Sequence, residues 1–215
     1  MDFSVCKREP LPCGGHKQDM VTFGGIDMTE LSDGELVDEL RRGEGSSLGI
    51  LFDRYADRIY NHCFRRTASW DTAQDATSTV FLEAWRGRER VVLHEDSALP
   101  WLYGIATNVC RNLTRKQRRH LAAVARLHGE SDTPDHAEAV ADRLDDERRM
   151  AAVLAAHDAL PRRDQDVLSL VVWSGLSYEQ AAVALGIPVG TVRSRLSRAR
   201  RRLSAAVSEQ EFHDD

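Results

Sequence analysis

Apolar side chains recur along most of this chain at three- and four-residue steps. Leu48, Leu51, Phe52, Tyr55, Ile59, Cys63 and Phe64 form one stripe, and Ala73, Ala76, Val80, Phe81, Ala84 and Trp85 a second. Trp101, Leu102, Ile105, Val109 and Leu113 form a third. Beyond residue 142 the same step returns in Met150, Val153, Leu154 and Leu160, then in Val167, Leu168, Val171 and Val172, and last in Val192, Leu196, Ala199 and Leu203. Each stripe has the period of one buried helix face. No strand alternation and no internal repeat stands out, so the pattern predicts an all-α fold.

Punctuation between the stripes sharpens their limits. Ser32 with Glu35, Asp71 with Gln74, and Ser177 with Gln180 read as helix-starting caps. Gly43, Gly87 and Gly186 read as helix stops, while Pro100, Pro161 and Pro188 suit first turns. The opening residues are rich in glycine and proline without periodicity, and residues 129–142 carry no apolar stripe. The expected layout is a flexible extension over 1–28, a helical domain over 29–120, a linker over 121–142, a second helical domain over 143–207, and an acidic tail over 208–215.

Charge first points away from nucleic acid. The 215 residues carry 34 acidic and 29 Lys or Arg side chains, net −5, whereas a nucleic-acid binder is usually basic. Segment by segment the picture reverses. Residues 100–128 hold six bases and no acid, and residues 188–203 hold six arginines and no acid. Residues 129–166, between them, carry 11 acids against five bases. Screening confines a charge's reach to about 8–10 Å, so local field matters more to a phosphate backbone than the total.

Other chemistry is poorly signalled. The four cysteines, at 6, 13, 63 and 110, form no CxxC. With no apolar run of membrane-spanning length and no secretory h-region, they suggest a reducing, cytoplasmic setting. Cys63 and Cys110 lie on or beside apolar stripes and read as buried small hydrophobes; Cys6, Cys13 and His16 read as incidental. No HExxH, GxSxG, P-loop or GxGxxG occurs, so no enzyme activity, cofactor or metal is expected. His94, His120, His128 and His136 fall in loop or linker and His157 on a helix, and all read as solvated.

Three stretches carry the chemistry. Leu176–Leu203, LSYEQAAVALGIPVGTVRSRLSRARRRL, has the helix, glycine turn and helix of a helix-turn-helix. Its core stripe leaves Thr191, Ser194, Arg195, Ser197 and Arg198 on other faces, able to reach base edges and phosphates. Trp101–Arg119, WLYGIATNVCRNLTRKQRR, sets Asn108, Arg111, Asn112, Arg115 and Lys116 opposite an apolar face, with Trp101 and Tyr103 at its start. Aromatics beside amides and bases suit single-stranded DNA. Asp71–Arg86, DTAQDATSTVFLEAWR, presents small polar and acidic groups that suit a protein partner.

In this order the three stretches resemble the σ70 superfamily, and within it the extracytoplasmic-function (ECF, group IV) RNA polymerase sigma factors. GTVRSRLSRAR is the most specific segment and WLYGIATNVCRN supports it independently. The resemblance implies a sigma-2-like helical bundle and a sigma-4-like helix-turn-helix joined by the acidic linker. It implies a promoter-specificity subunit whose partners are core RNA polymerase and promoter DNA, with an anti-sigma factor as a further partner and no membrane insertion. Catalysis would then belong to the polymerase. Asp75, Phe81 and Trp85 fall on the helix that docks on the β′ clamp coiled coil. Asn108, Arg111, Asn112, Arg115 and Lys116 fall where the −10 strand is held, and loop 88–98 where a flipped base is captured. Thr191, Arg193, Ser194, Ser197 and Arg198 fall on the −35 recognition helix. The chain departs from the family pattern in the clamp helix, with Ser78-Thr79 where a Gln-Glu-like pair is common and Ala76 in place of a common Leu. The competing reading, a response-regulator-type helix-turn-helix factor, calls for a βα receiver domain in residues 1–140, where no strand alternation is seen.

Overall fold

The computed structural model describes residues 22–23, 26–27, 30–125 and 141–211. Among them the chain forms eight α-helices: α1 (Asp33–Arg42), α2 (Gly45–Thr67), α3 (Trp70–Arg86), α4 (Leu99–Ala125), α5 (Ala141–Asp158), α6 (Arg162–Leu168), α7 (Tyr178–Leu185) and α8 (Val189–Glu211). A π-helical turn, Ser169–Trp173, continues α6, and a 3-10 turn, Arg88–Arg90, follows α3. The fold is all-α apart from a two-residue antiparallel ladder, Thr22–Phe23 against Ile26–Asp27. That ladder lies inside the expected extension, where no element was expected.

Local chemistry explains most boundaries. Ser32 and Ser177 each start a helix with a complete capping box, paired with Glu35 and Gln180. Gly43 and Gly186 end α1 and α7 in the left-handed conformation, at φ 96° and 61°, where a Cβ is penalised. Several boundaries differ from expectation. The cap of α3 is Ser69, whose hydroxyl accepts from Thr72 N, so Asp71 lies inside the helix. α4 runs to Ala125, past the expected linker start at 121, because no proline or glycine interrupts it. α5 begins at Ala141, inside the expected linker, and α8 runs to Glu211, past the expected domain end at 207. Residues 126–140 and 212–215 lie outside the described residues.

α1, α2, α3 and α4 pack as the first bundle. Ile59, Cys63, Ala73, Ala76, Val80, Ala84, Leu102, Ala106 and Cys110 are fully buried within it. Phe64 stacks on Trp70, and Phe52 meets Phe81 edge-on at 4.8 Å between centroids. The Cys63 thiol is pushed well up, first by its hydrogen bond to Cys110 and then by burial. Both cysteines are therefore core hydrophobes, as expected.

The second domain does not stand apart from the first. One continuous core runs from Ile59 and Leu102 through Leu170, Leu176 and Ala181 to Val192, Leu196 and Ala199. α7 lies against α4, and the π turn and α5 lie against α2. The closest approach is at Gly104, where a Cβ would come within 2.5 Å of the Ala184 carbonyl oxygen. Backbones meet this closely only where a side chain is missing.

Candidate nucleic-acid interface

The recognition helix is built as its pattern predicts. Val192, Leu196 and Ala199 are buried, which turns Arg193, Ser194, Ser197 and Arg198 outward and leaves Thr191 half-buried at the first turn. Pro188 carbonyl oxygen accepts from Thr191 N and Val192 N, closing that turn. The arginines are not loose. Arg193 lies over the Tyr178 ring and 4.0 Å from Glu179. Arg202 Nη1 donates to Asp164 at 3.0 Å, and Arg198 lies 3.9 Å from the same carboxylate. Asp164 itself is buried in α6.

The second basic face lies on α4. Asn108, Asn112, Arg115 and Lys116 are exposed one turn after another. Asn108 Oδ1 accepts from Arg111 Nη1 at 3.1 Å. Arg111 also forms a two-pronged pair, through Nε at 3.1 Å and Nη2, with both oxygens of Asp166. Tyr103, read from sequence as available for base stacking, is instead 3% exposed. It lies under the second domain, its ring edge-on to that of His62, whose Nδ1 meets Ser174 Oγ.

The outer face of α3 is polar with one apolar spot. Asp75, Ser78, Thr79 and Glu83 are exposed, and Leu82 stands 48% exposed among them. Trp85 is half-buried, with the Arg88 guanidinium 4.7 Å from its ring centre. Phe81, implied as a polymerase-binding residue, is 4% exposed and packed on Phe52. Its place in the helical period puts it beside Val80 on the core side, so Leu82 is the apolar group α3 offers outward.

Loop 88–98 is tied to the first helix. Asp33, buried at the start of α1, accepts from Ala98 N at 2.7 Å, Tyr55 hydroxyl at 2.5 Å and Arg54 Nη1 at 2.5 Å. Asp96, at φ 57°, accepts from Gly34 N at 2.9 Å.

A protein-family comparison matches "Sigma-70 region 2" over residues 51–120 and "Sigma-70, region 4" over residues 150–203. The RNA polymerase sigma factor HrpL of Pseudomonas syringae is 37% identical over 146 residues, covering 66% of this chain and 77% of that protein. The RNA polymerase sigma-H factor of Pseudomonas aeruginosa is 33% identical over 194 residues, covering 84% and 96%. This chain is an ECF sigma factor of the sigma-70 family. The ECF RNA polymerase sigma-E factor of Escherichia coli is similarly related, at 29% identity over 80% of this chain and 92% of that one. Among solved structures, CnrH bound to the cytosolic domain of CnrY matches the fold with TM-score 0.59, at 22% identity, over 82% of this chain and 97% of that one. As a sigma factor, the chain is a promoter-specificity subunit for transcription initiation, and the response-regulator reading is not favoured.

Several residues of this sigma factor were not legible beforehand. Arg66 lies inside the apolar stripe of α2, yet it is buried and its Nη2 lies 3.5 Å from Asp166. Its Nη1 donates to Ser169 Oγ at 3.1 Å and lies 3.2 Å from His157 Nε2. His157, expected to be solvated, is 1% exposed and stacks at a tilt on Trp173. His62 Nδ1 meets Ser174 Oγ at 2.8 Å. Burial, with Arg66 and Arg65 beside it, pushes His62 down to about 3. Burial and Arg66 push His157 down to about 4. The only sequence signal was an arginine and a histidine at helical spacing within an apolar face. Val153 and Val172, inside by the helical step, are instead exposed.

Proposed function

We propose that the three surfaces divide promoter engagement among them. α8 enters the major groove of the −35 duplex, with Thr191, Arg193, Ser194, Ser197 and Arg198 reaching bases and phosphates. α4 holds the non-template strand of the −10 element through Asn108, Arg111, Asn112, Arg115 and Lys116. α3 docks on the β′ clamp coiled coil through Asp75, the exposed edge of Trp85 and Leu82. The observation that carries this reading is the exposure of Asn108, Asn112, Arg115 and Lys116 on α4 and of Arg193, Ser194, Ser197 and Arg198 on α8, two separate helices, one in each domain. A major groove admits one helix, and a melted strand needs a different surface with amides and charge.

The chain then supplies no catalytic group; nucleotidyl transfer belongs to the polymerase, in the cytoplasm where polymerase works. An anti-sigma factor belongs among its partners on the family's pattern. The test is transcription in vitro with core polymerase on genomic fragments, with start sites mapped. Initiation that depends on this chain, at sites sharing two spaced elements, is the expected result. Core polymerase giving the same transcripts with and without the chain would overturn the reading.

A further inference from the structure

The second domain covers the strand-binding face of α4 at three points. Asp166 takes Arg111 by the two-pronged geometry that arginine uses equally for carboxylate and phosphate. Ser174 meets His62 beside the Tyr103 ring, and Ala184 presses on Gly104. Arg66 completes the pocket around Asp166 from below, and Asp166 itself is 2% exposed. Four contacts flank it: Ser169 and His157 on Arg66, Ser174 on His62, and Glu147 on Trp70 N at 2.9 Å. Two residues away, Asp164 accepts from Arg202 of the recognition helix, with Arg198 3.9 Å off. Two acids of one short helix thus hold arginines of both basic faces.

We propose that Arg66 and Arg111 form an anion site for a backbone phosphate of the melted promoter strand, and that Asp166 fills this site in the free chain. Arg66 thereby joins the strand-binding residues, though no sequence pattern marks it. In the closed molecule the site is neutralised from within, and Tyr103 is masked together with it. When the domains part, Asp166 leaves, the two guanidiniums are exposed side by side, and Tyr103 becomes available for stacking. Opening is unfavourable for the free chain because it strips a buried charge pair of its partner. It becomes favourable when a phosphate replaces the carboxylate and polymerase holds the domains apart. This inference rests on the proposed −10 role of α4.

The probe is a fluorescein-labelled (dT)20 strand, read by anisotropy against the full chain without polymerase, with small-angle scattering on the same samples. Asp166→Asn removes the internal anion. Gly104→Ala leaves every charge in place and forces α4 off Ala184. Both variants are expected to expand the molecule and to bind the strand about tenfold more tightly than the parent. Adding Arg66→Gln or Arg111→Gln to Gly104→Ala is expected to remove that gain. Should Asp166→Asn fail to fold by circular dichroism, Gly104→Ala decides alone. Unchanged size and strand affinity in Gly104→Ala, or a gain that survives Arg66→Gln, overturns the proposal. Transcription with core polymerase is the separate readout: a parent chain that supports none removes the sigma-subunit roles, whereas a parent that transcribes with opened variants that bind no better removes this inference only.

Discussion

Ala68 ends α2 at φ 50°, with its N–H donating to Phe64 oxygen at 2.7 Å. A Cβ in the left-handed region costs roughly 1–2 kcal/mol, part of which glycine repays in unfolded-state entropy. Ala68→Gly is therefore expected to stabilise the chain by about 0.5–1 kcal/mol, visible as a higher midpoint in urea. Ser177 has the opposite leverage. Its hydroxyl caps α7 and its backbone N–H is capped in return by Gln180, so Ser177→Ala is expected to cost about 1 kcal/mol by the same measurement. On the DNA side, Arg198 is exposed and only weakly tied to Asp164 at 3.9 Å. Arg198→Ala is expected to cost roughly 1–3 kcal/mol at the −35 element, measured as polymerase holoenzyme affinity for a −35 duplex. The capping serines were readable from sequence, because Ser-x-x-Glu and Ser-x-x-Gln are local rules. The Ala68 conformation was not, since an alanine announces no turn.

At the scale of the element, α4 explains why some residues were legible and others not. Its apolar stripe identified Leu102 and Val109 as core, and its polar face identified Asn108, Asn112, Arg115 and Lys116 as exposed. A periodic pattern assigns one buried face, yet α4 buries two: one against α2 and α3, one against α7. Gly104 belongs to the second, against Ala184, and nothing in a helical wheel marks it. α3 shows the same limit from the other side. The wheel places Phe81 beside Val80, and it packs on Phe52, whereas an aromatic within a partner-binding motif invites a surface reading. For the exposed face of α4 the expected outcome is kinetic. Asn108→Ala should slow open-complex formation, followed by permanganate reactivity of unpaired thymines, while leaving closed-complex affinity nearly unchanged. Equal loss in both steps would contradict a −10 role.

The whole molecule adds a pH dependence that neither domain has alone. His62 faces Arg65, Arg66, Tyr103 and Ser174; His157 faces Arg66, Asp158, Gln165, Ser169 and Trp173. Closed, both are held neutral, at about 3 and about 4; exposed, an imidazole takes up its proton near 6.5. The closed form is therefore fully favoured above pH 6.5 and loses ground as pH falls, because only the open form gains protons. At pH 5 the linkage is on the order of 2 kcal/mol for His62, which Ser174 of the second domain covers, and smaller for His157, whose neighbours other than Arg66 belong to its own domain. The scattering radius is expected to grow between pH 7.5 and pH 5, and His157→Gln with His62→Gln should flatten that growth. A second expectation belongs to the same scale. The −5 total and the internal pairing of Arg111 and Arg202 should leave the free chain a poor duplex binder, so a gel shift at moderate salt should need polymerase.

Helical class, two domains, the cap-to-cap limits of most helices and both basic faces followed from periodicity, capping rules and local charge. Those are short-range properties, set within a turn or two of each residue. The motif order in turn carried the family. The meeting of the two domains followed from none of this. Arg66 with Asp166, His62 with Ser174, and Gly104 with Ala184 join residues 80 to 112 positions apart. Burial of those groups is a property of the partner surface rather than of their neighbours in sequence. The same twelve bases in the two acid-free segments read as solvated faces, as DNA contacts, or as ion pairs, and the choice rests on which surface lies opposite.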